Sequence, residues 1–298
     1  MKKILLGLIA IGFISCSDTK KNKYVEQAEK QSSTIKAWAE KKTVKEEKGN
    51  DVTDSSTGDD TIDAASNSSS VEYGEGATDI DGNTYKSVII GTQEWISENL
   101  RTTKYSDGTV IPNVTDGTQW HKDTTGAWSH YDYDNQFDND NQFDNDNQYD
   151  SIYGKLYNWF TVETGKLCPT GWHVPTDAEW TELTDYLAAN GHSGAEAEGI
   201  VLVDYLIANR HFGSEGRALK ATSGWDDDGN GTDDYGWLGL PGGIRRSAGH
   251  FLYIGRGGSW WSSSESKKGF SWHRYFSSSG VYFYESLHQH GYSVRCLR

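Results

Sequence analysis

The chain has 298 residues, and its 28 Lys and Arg against 43 Asp and Glu give a formal net charge of −15. This balance excludes a basic nucleic-acid-binding protein, because nucleic-acid recognition uses a positively charged surface. No stretch reaches the ~20 apolar residues of a membrane-spanning helix, which excludes a multi-span membrane protein. The mean hydropathy is low at −0.72, but 12 residues are Trp. Since aromatic side chains bury a large area each, a folded domain is expected.

The N-terminus has the features of an export signal. Lys2 and Lys3 precede an apolar run over residues 4–14, which has the length of a signal-peptide core. Ser15 then stands before Cys16, and a small residue before cysteine resembles the lipobox of bacterial lipoproteins, where the cysteine is acylated. We therefore expect a signal peptide over residues 1–15, a lipid on Cys16 and a chain anchored at the outer membrane or cell surface. An ordinary secretory signal is the alternative.

The composition changes twice along the chain. Residues 50–70 are mostly Asp, Ser, Thr, Gly and Asn, and such a segment has too little apolar surface to offset the entropy lost on ordering. We expect residues 16–78 to form a lipid-anchored disordered tether. Eleven of the 12 Trp lie beyond this point, and residues 79–298 are expected to form one folded domain.

The first residues of this domain predict a β-hairpin. Turn-forming residues at 81–83 and 91–92 flank a run of β-branched and aromatic residues. Short, glycine-punctuated aromatic segments return between residues 235 and 294, and they indicate an antiparallel, strand-rich second half.

One helix is predicted by its capping residues. Thr176 and Glu179 have the spacing of a capping box, in which each side chain hydrogen-bonds the backbone N–H of the other residue. Trp180, Leu183 and Leu187 then share one helical face. The helix is expected to end near residues 190–191, where Asn and Gly suit a C-cap.

The cysteine count predicts a disulfide. The three cysteines are Cys16, Cys168 and Cys296. If Cys16 carries lipid, an even pair remains in an oxidising compartment, where a disulfide is expected. Two buried free thiols are the alternative.

Seven motifs in the second half of the chain resemble one protein family. They are GKLYNW at 154–159, CPTGWHVPT at 168–176, AEW at 178–180, LKATSGW at 219–225, LPGG at 240–243, WWSSSE at 260–265 and YSVRC at 292–296. Together with the predicted hairpin, they resemble the Fibrobacter succinogenes major paralogous domain. That family occurs in exported and lipid-anchored proteins of Bacteroidetes-type bacteria, which agrees with the N-terminal signal.

A more distant resemblance suggests the fold. Residues 172–180, 257–260 and 291–295 resemble landmarks of the formylglycine-generating enzyme, or sulfatase-modifying factor, family. The resemblance implies an α+β, C-type-lectin-like domain with a small twisted antiparallel sheet, flanking helices and long loops. Those enzymes use a pair of redox-active cysteines near the C-terminal part of the domain. In this chain only Cys296 lies in that region, so the pair is missing. We therefore expect no enzymatic activity and no catalytic residues.

An acidic loop is a candidate calcium site. Asp226, Asp228 and Asn230 alternate, the Thr232 carbonyl takes the seventh position and Asp234 the ninth, as in the calcium-binding loop of an EF-hand. The twelfth position is Trp237 and not the bidentate Glu of that loop. The sequence thus predicts Ca²⁺ as a ligand of this loop, with a solvated Asp/Asn/Gly turn as the alternative.

Tryptophan side chains are the candidates for ligand binding. An aromatic ring can stack on the apolar face of a sugar while neighbouring polar groups bond its hydroxyls. The candidates are Trp225, Trp237, Trp260, Trp261 and Trp272. Core packing in a small Trp-rich sheet is the alternative for each.

These observations support one leading hypothesis about function. We expect an exported surface lipoprotein whose domain binds an extracellular glycan or protein without catalysis. The alternatives are a structural or display scaffold of the cell envelope and a divergent enzyme with the sulfatase-modifying-factor fold.

Overall fold

The computed structural model describes residues 71–131, 146–192, 211–212, 214–277 and 280–298. The predicted signal peptide, the predicted lipidation site Cys16 and the predicted tether as far as residue 70 lie outside these ranges.

Strands make up most of the regular structure in the described ranges, and the helices are few and short. The strands are β1 Glu72–Tyr73, β2 Ala77–Thr78, β3 Thr84–Tyr85, β4 Ser87–Ile90, β5 Gln93–Ile96, β6 Trp128–Ser129, β7 Leu156–Tyr157, β8 His211–Phe212, β9 Gly242–Arg245, β10 Phe251–Ile254, β11 Gly257–Lys267, β12 Phe270–Ser277 and β13 Val281–Leu287. The helices are α1 Gly117–Lys122, α2 Asp146–Tyr153, α3 Trp159–Val162, α4 Asp177–Leu187 and α5 Ser214–Leu219.

The largest sheet has six strands in the order β10-β9-β11-β12-β13-β8. Its centre is an antiparallel meander in which Trp261 pairs with His273 and His273 pairs with Tyr284. The register of β11 and β12 shifts between Trp261 and Glu265 and again before Lys267, and an extra residue on one strand increases the local twist. The predicted strand-rich second half is therefore present as a curled antiparallel sheet with a parallel β9–β11 bridge.

The predicted N-terminal hairpin is confirmed. Strands β4 and β5 are antiparallel: Ser87 pairs with Ile96 at one end and Ile90 pairs with Gln93 at the other. Gly91 turns the chain between them with φ of 63°. Strand β1 adds to the outer side of β4, and β2 pairs with β3. Both β1 and β2 lie in the range expected to be tether, so regular structure begins ahead of residue 79.

The predicted helix is also confirmed, as α4. The Thr176 hydroxyl accepts from the Glu179 N–H at 3.2 Å, and the Glu179 carboxylate accepts from the Thr176 N–H at 2.7 Å. Trp180, Leu183 and Leu187 are buried on the inner face. The chain then leaves the helix through Asn190 and the left-handed Gly191, as the C-cap residues suggested.

The main sheet separates two clusters of buried side chains. Trp260 packs on one side with Trp180, Leu183 and Trp237, while Trp261 packs on the other with the disulfide. Successive residues of a strand point to opposite faces, and both faces of β11 are covered at Trp260 and Trp261. The fold is therefore of the α+β class. Within the described ranges, no helix is both long enough and apolar enough to cross a membrane.

Candidate functional site

The disulfide between Cys168 and Cys296 is present, as the cysteine count predicted. The two Cα atoms lie 5.9 Å apart. Beside it, the backbones of His173 and Leu297 exchange N–H···O bonds of 2.9 and 2.8 Å. The bridge thus joins the segment before α4 to the C-terminus inside the core, where both cysteines are buried.

Four of the five predicted ligand-binding tryptophans lie in the core. Trp225, Trp237, Trp260 and Trp261 are each at most 3% exposed. The Trp260 Nε1 donates to Asn99 Oδ1 at 2.8 Å, and the Trp261 Nε1 donates to the Tyr157 carbonyl at 2.8 Å. The prediction of surface stacking positions is wrong for these four: Trp260 and Trp261 are covered on the two faces of β11, and Trp225 and Trp237 belong to the cluster that covers Trp260. Trp272 is only partly buried and packs edge-on against Phe283 at 5.6 Å between centroids.

The side chains of the predicted calcium loop are divided among separate contacts. Asp226 is buried, whereas Asp228, Asn230, Thr232 and Asp234 are exposed. The Asn230 Oδ1 accepts from the Trp225 N–H at 3.0 Å, and the Thr232 hydroxyl donates to Asp234 at 2.9 Å. Among the described residues, no group of three or more His, Cys, Asp or Glu is arranged to hold a metal ion. Calcium binding by this loop stays a prediction.

The same loop lies beside the turn after β10. The Asp226 N–H donates to the Gly255 carbonyl at 2.6 Å. The Arg256 guanidinium lies 3.7 Å from the Asp227 carboxylate, and both side chains are well exposed. These contacts place the acidic loop next to Tyr253, whose carbonyl accepts from the Arg256 N–H at 2.9 Å.

Four tyrosines form an aromatic surface on this side of the sheet. We call Tyr253, Tyr275, Tyr282 and Tyr284 the tyrosine patch. Tyr275 is the centre, with ring centroids 6.0 Å from Tyr253, 6.1 Å from Tyr282 and 6.5 Å from Tyr284. Tyr282 and Tyr284 are nearly parallel, with 9° between their planes. Tyr253 is 43% exposed and the other three are partly buried.

Strand register explains why these rings share a face. Tyr275 pairs with Tyr282, and Tyr284 follows two residues later on β13. Directly opposed residues and residues two apart lie on the same face of a sheet. A Cβ at Gly257 would come within 2.6 Å of the Tyr275 ring. Glycine at this position on β11 therefore leaves the space that the ring occupies.

Tyr253 has an unusual backbone. Its φ is 70°, in the left-handed region that bulky residues rarely adopt. The pairing of β10 with β9 passes from Leu252 to Ile254 without a partner for Tyr253. Such backbone strain is found where the surrounding structure holds a side chain in a required position. Here it holds the most exposed ring of the patch beside Tyr275.

The patch continues inward through uncharged side chains. The His273 ring lies 6.0 Å from Tyr284 and 4.4 Å from Tyr292, and Tyr292 stacks on His290. Burial, with smaller effects from His290 and Arg274, lowers the pKa of His273 to about 3. Burial and the charge of Arg246 lower the pKa of His290 to about 4. Burial and the neighbouring tyrosines raise the pKa of Tyr275. His273, His290 and Tyr275 are therefore uncharged at neutral pH.

Several other titratable side chains of the described ranges are paired elsewhere in the fold. His173 pairs with Glu179 at 2.8 Å and His288 contacts the Ser271 hydroxyl at 3.0 Å. A separate buried group joins Asp150 to His130, 2.8 Å away, and to Lys155. The Lys155 ammonium also lies 3.9 Å from the Trp128 ring centroid. This group is enclosed by the fold and is distinct from the exposed aromatic surface.

Sequence reasoning missed the tyrosine patch because it considered only tryptophan. The signal was present in VYFYE at residues 281–285, where Tyr282 and Tyr284 alternate in a strand-like segment. Tyr275 and Tyr253 carry no such signal, since their positions depend on the order and register of the strands in the main sheet.

A curled antiparallel sheet, with short helices around it and an aromatic surface at one end, defines this chain as a mixed α+β protein. The chain belongs to the Fibrobacter succinogenes major domain family, whose model matches residues 88–298. No curated protein and no solved structure matches the chain.

Proposed function

We propose that this chain is an exported surface lipoprotein whose C-type-lectin-like domain binds an extracellular glycan or protein at the tyrosine patch, without catalysis. The observation that carries the proposal is the exposed, strained Tyr253 beside three further tyrosines. Tyrosine offers an apolar ring and a polar hydroxyl with few rotatable bonds, and it is enriched at recognition surfaces for this reason.

Two further features support the proposal. The N-terminal apolar run followed by Ser15 and Cys16 favours export and a lipid anchor. Cys296 is joined to Cys168 in the core, so it is not available as one of the redox-active cysteines used by the formylglycine-generating enzymes. This pairing favours binding over that chemistry.

The test is binding of the full-length chain, purified in detergent, to glycan and protein arrays. Tyr253→Ala and Tyr284→Ala are expected to weaken binding to the leading array ligand about tenfold or more, since an anchoring aromatic contributes ~2 kcal/mol. Tyr186→Ala is the matched control, because Tyr186 is 36% exposed and lies outside the patch. Unchanged binding in both patch variants would contradict the proposal.

A further inference from the structure

The tyrosine patch is uncharged although the chain is strongly acidic. Its exposed groups are phenols, and His273 and His290 behind them are neutral imidazoles. Among the described residues, the hydroxyls of Tyr253 and Tyr275 take part in no hydrogen bond within the protein. These two hydroxyls are therefore available to donate to and accept from a ligand.

Two arginines lie near the Tyr253 side of the patch. Arg256, in the turn after β10, is paired with Asp227. Arg246 follows Arg245, whose backbone exchanges hydrogen bonds of 2.9 and 2.7 Å with Gly291, between His290 and Tyr292. Among the cation–ring contacts of the described residues, neither arginine lies over Tyr275, the central ring. A charged group placed over the middle of the patch would lose hydration without gaining an ionic partner, which is unfavourable.

The rings also offer several neighbouring stacking positions and not a single one; we call the path from Tyr253 through Tyr275 to Tyr284 the row. From Tyr253 through Tyr275 to Tyr284, the steps between centroids are 6.0 and 6.5 Å. Each step is close to the width of one pyranose ring. A row of this kind matches successive sugar units of an extended chain, whose C–H faces stack on the rings while their hydroxyls meet the phenol hydroxyls.

We infer that the ligand of the tyrosine patch is an uncharged glycan chain, bound along the row Tyr253–Tyr275–Tyr284 over at least three sugar units. This inference rests on the proposed function and adds the chemical class and the direction of the ligand on the surface.

The experiment compares two series of soluble oligosaccharides against the full-length chain by calorimetry. The neutral series contains β-1,4-linked gluco-, manno- and xylo-oligosaccharides of one to six units, and the acidic series contains oligogalacturonides of the same lengths. We expect the association constant of a neutral series to rise about tenfold or more between one and three units, because each added unit gains a stacking contact. We expect the acidic series to bind more weakly at every length.

Three variants separate the contributions. Tyr253→Ala is expected to remove most of the increase in association constant with oligosaccharide length. Tyr253→Phe keeps the stacking ring and loses only the hydroxyl. Arg246→Gln is expected to leave neutral binding unchanged. Tighter binding of the acidic series, or loss of binding in Arg246→Gln, would overturn the inference that the ligand is uncharged. Binding that is independent of oligosaccharide length would overturn the inference that the ligand lies along the row.

The outcomes also separate this inference from the proposed function. If a protein on the array binds at the patch and no neutral oligosaccharide does, the inference fails and the proposed function stands. If neutral oligosaccharides bind equally well to Tyr253→Ala, Tyr284→Ala and the unmodified chain, both fail.

Discussion

The Nε of Arg295 donates a hydrogen bond of 2.9 Å to the Oδ1 of Asn99, 196 residues away in sequence. The same Asn99 oxygen accepts from the Trp260 indole, and the Asn99 amide donates to the Tyr153 carbonyl at 2.7 Å. The Arg295 guanidinium also donates to the carbonyls of Trp237 and Leu238. This fully buried pair therefore ties together the N-terminal hairpin region, the main sheet and the C-terminus.

Replacing this arginine is expected to destabilise the fold. Arg295→Lys keeps the charge but cannot reach Asn99 and both carbonyls at once, because an ammonium lacks the planar fork of a guanidinium. Leaving buried acceptors unpaired should lower the free energy of unfolding by about 3 kcal/mol. Urea denaturation measures the change, and Arg217→Lys is the control at an exposed position. Equal loss in both variants would contradict the role assigned to Arg295.

The disulfide is expected to be a large contribution to stability. It closes a loop between residues separated by 128 positions, and the loss of chain entropy in the unfolded state should be worth about 4–5 kcal/mol. Cys168→Ser combined with Cys296→Ser should lower the urea midpoint accordingly. Reductant should destabilise the unmodified chain and leave the double variant unaffected. If reductant also destabilises the double variant, its effect on the unmodified chain cannot be assigned to the disulfide.

The buried histidine beside the patch should make the fold sensitive to acid. Because the pKa of His273 is about 3 in the folded chain and near 6.5 when unfolded, the unfolded state binds more protons below pH 6.5. The free energy of unfolding should therefore fall by about 2 kcal/mol between pH 7 and pH 5. His273→Gln should flatten this part of the pH profile, whereas His250→Gln, at an exposed position in the β9–β10 turn, should not.

Asp233 should act in the opposite direction. Burial raises its pKa to about 7, and its Oδ1 accepts from the Leu238 N–H at 2.8 Å. The folded chain then holds a proton that the unfolded chain has already lost, so the stability that Asp233 contributes is present at low pH and is lost as pH rises through 7. The fall should be about 1 kcal/mol between pH 6 and pH 8. Asp233→Asn keeps the hydrogen-bond acceptor and should abolish this fall in the free energy of unfolding. An unchanged pH profile of stability would contradict the raised pKa of Asp233.

Calcium binding by the acidic loop can be tested directly. The alternating oxygens of Asp226, Asp228 and Asn230 predict heat on titration with millimolar Ca²⁺. Asp228→Ala should abolish that heat, and Asp185→Ala on α4 should not. Absence of heat from the unmodified chain would leave the loop as a turn packed against Gly255.

Local features of the sequence determined several elements of this protein. The capping box of Thr176 and Glu179 predicted α4, because its hydrogen bonds join residues three apart. Turn residues predicted the β4–β5 hairpin, and counting cysteines in an exported chain predicted the Cys168–Cys296 bridge. Seven ordered motifs indicated the family.

Only the tertiary structure decided which aromatic rings face solvent. Trp260 and Trp261 are adjacent in sequence, yet each is buried because a different layer covers each face of β11. Tyr253, Tyr275 and Tyr284 come from three strands, and they meet because of strand order, register and the space left at Gly257. A side chain's exposure depends on which distant segments pack over it, and the sequence by itself does not show which segments these are.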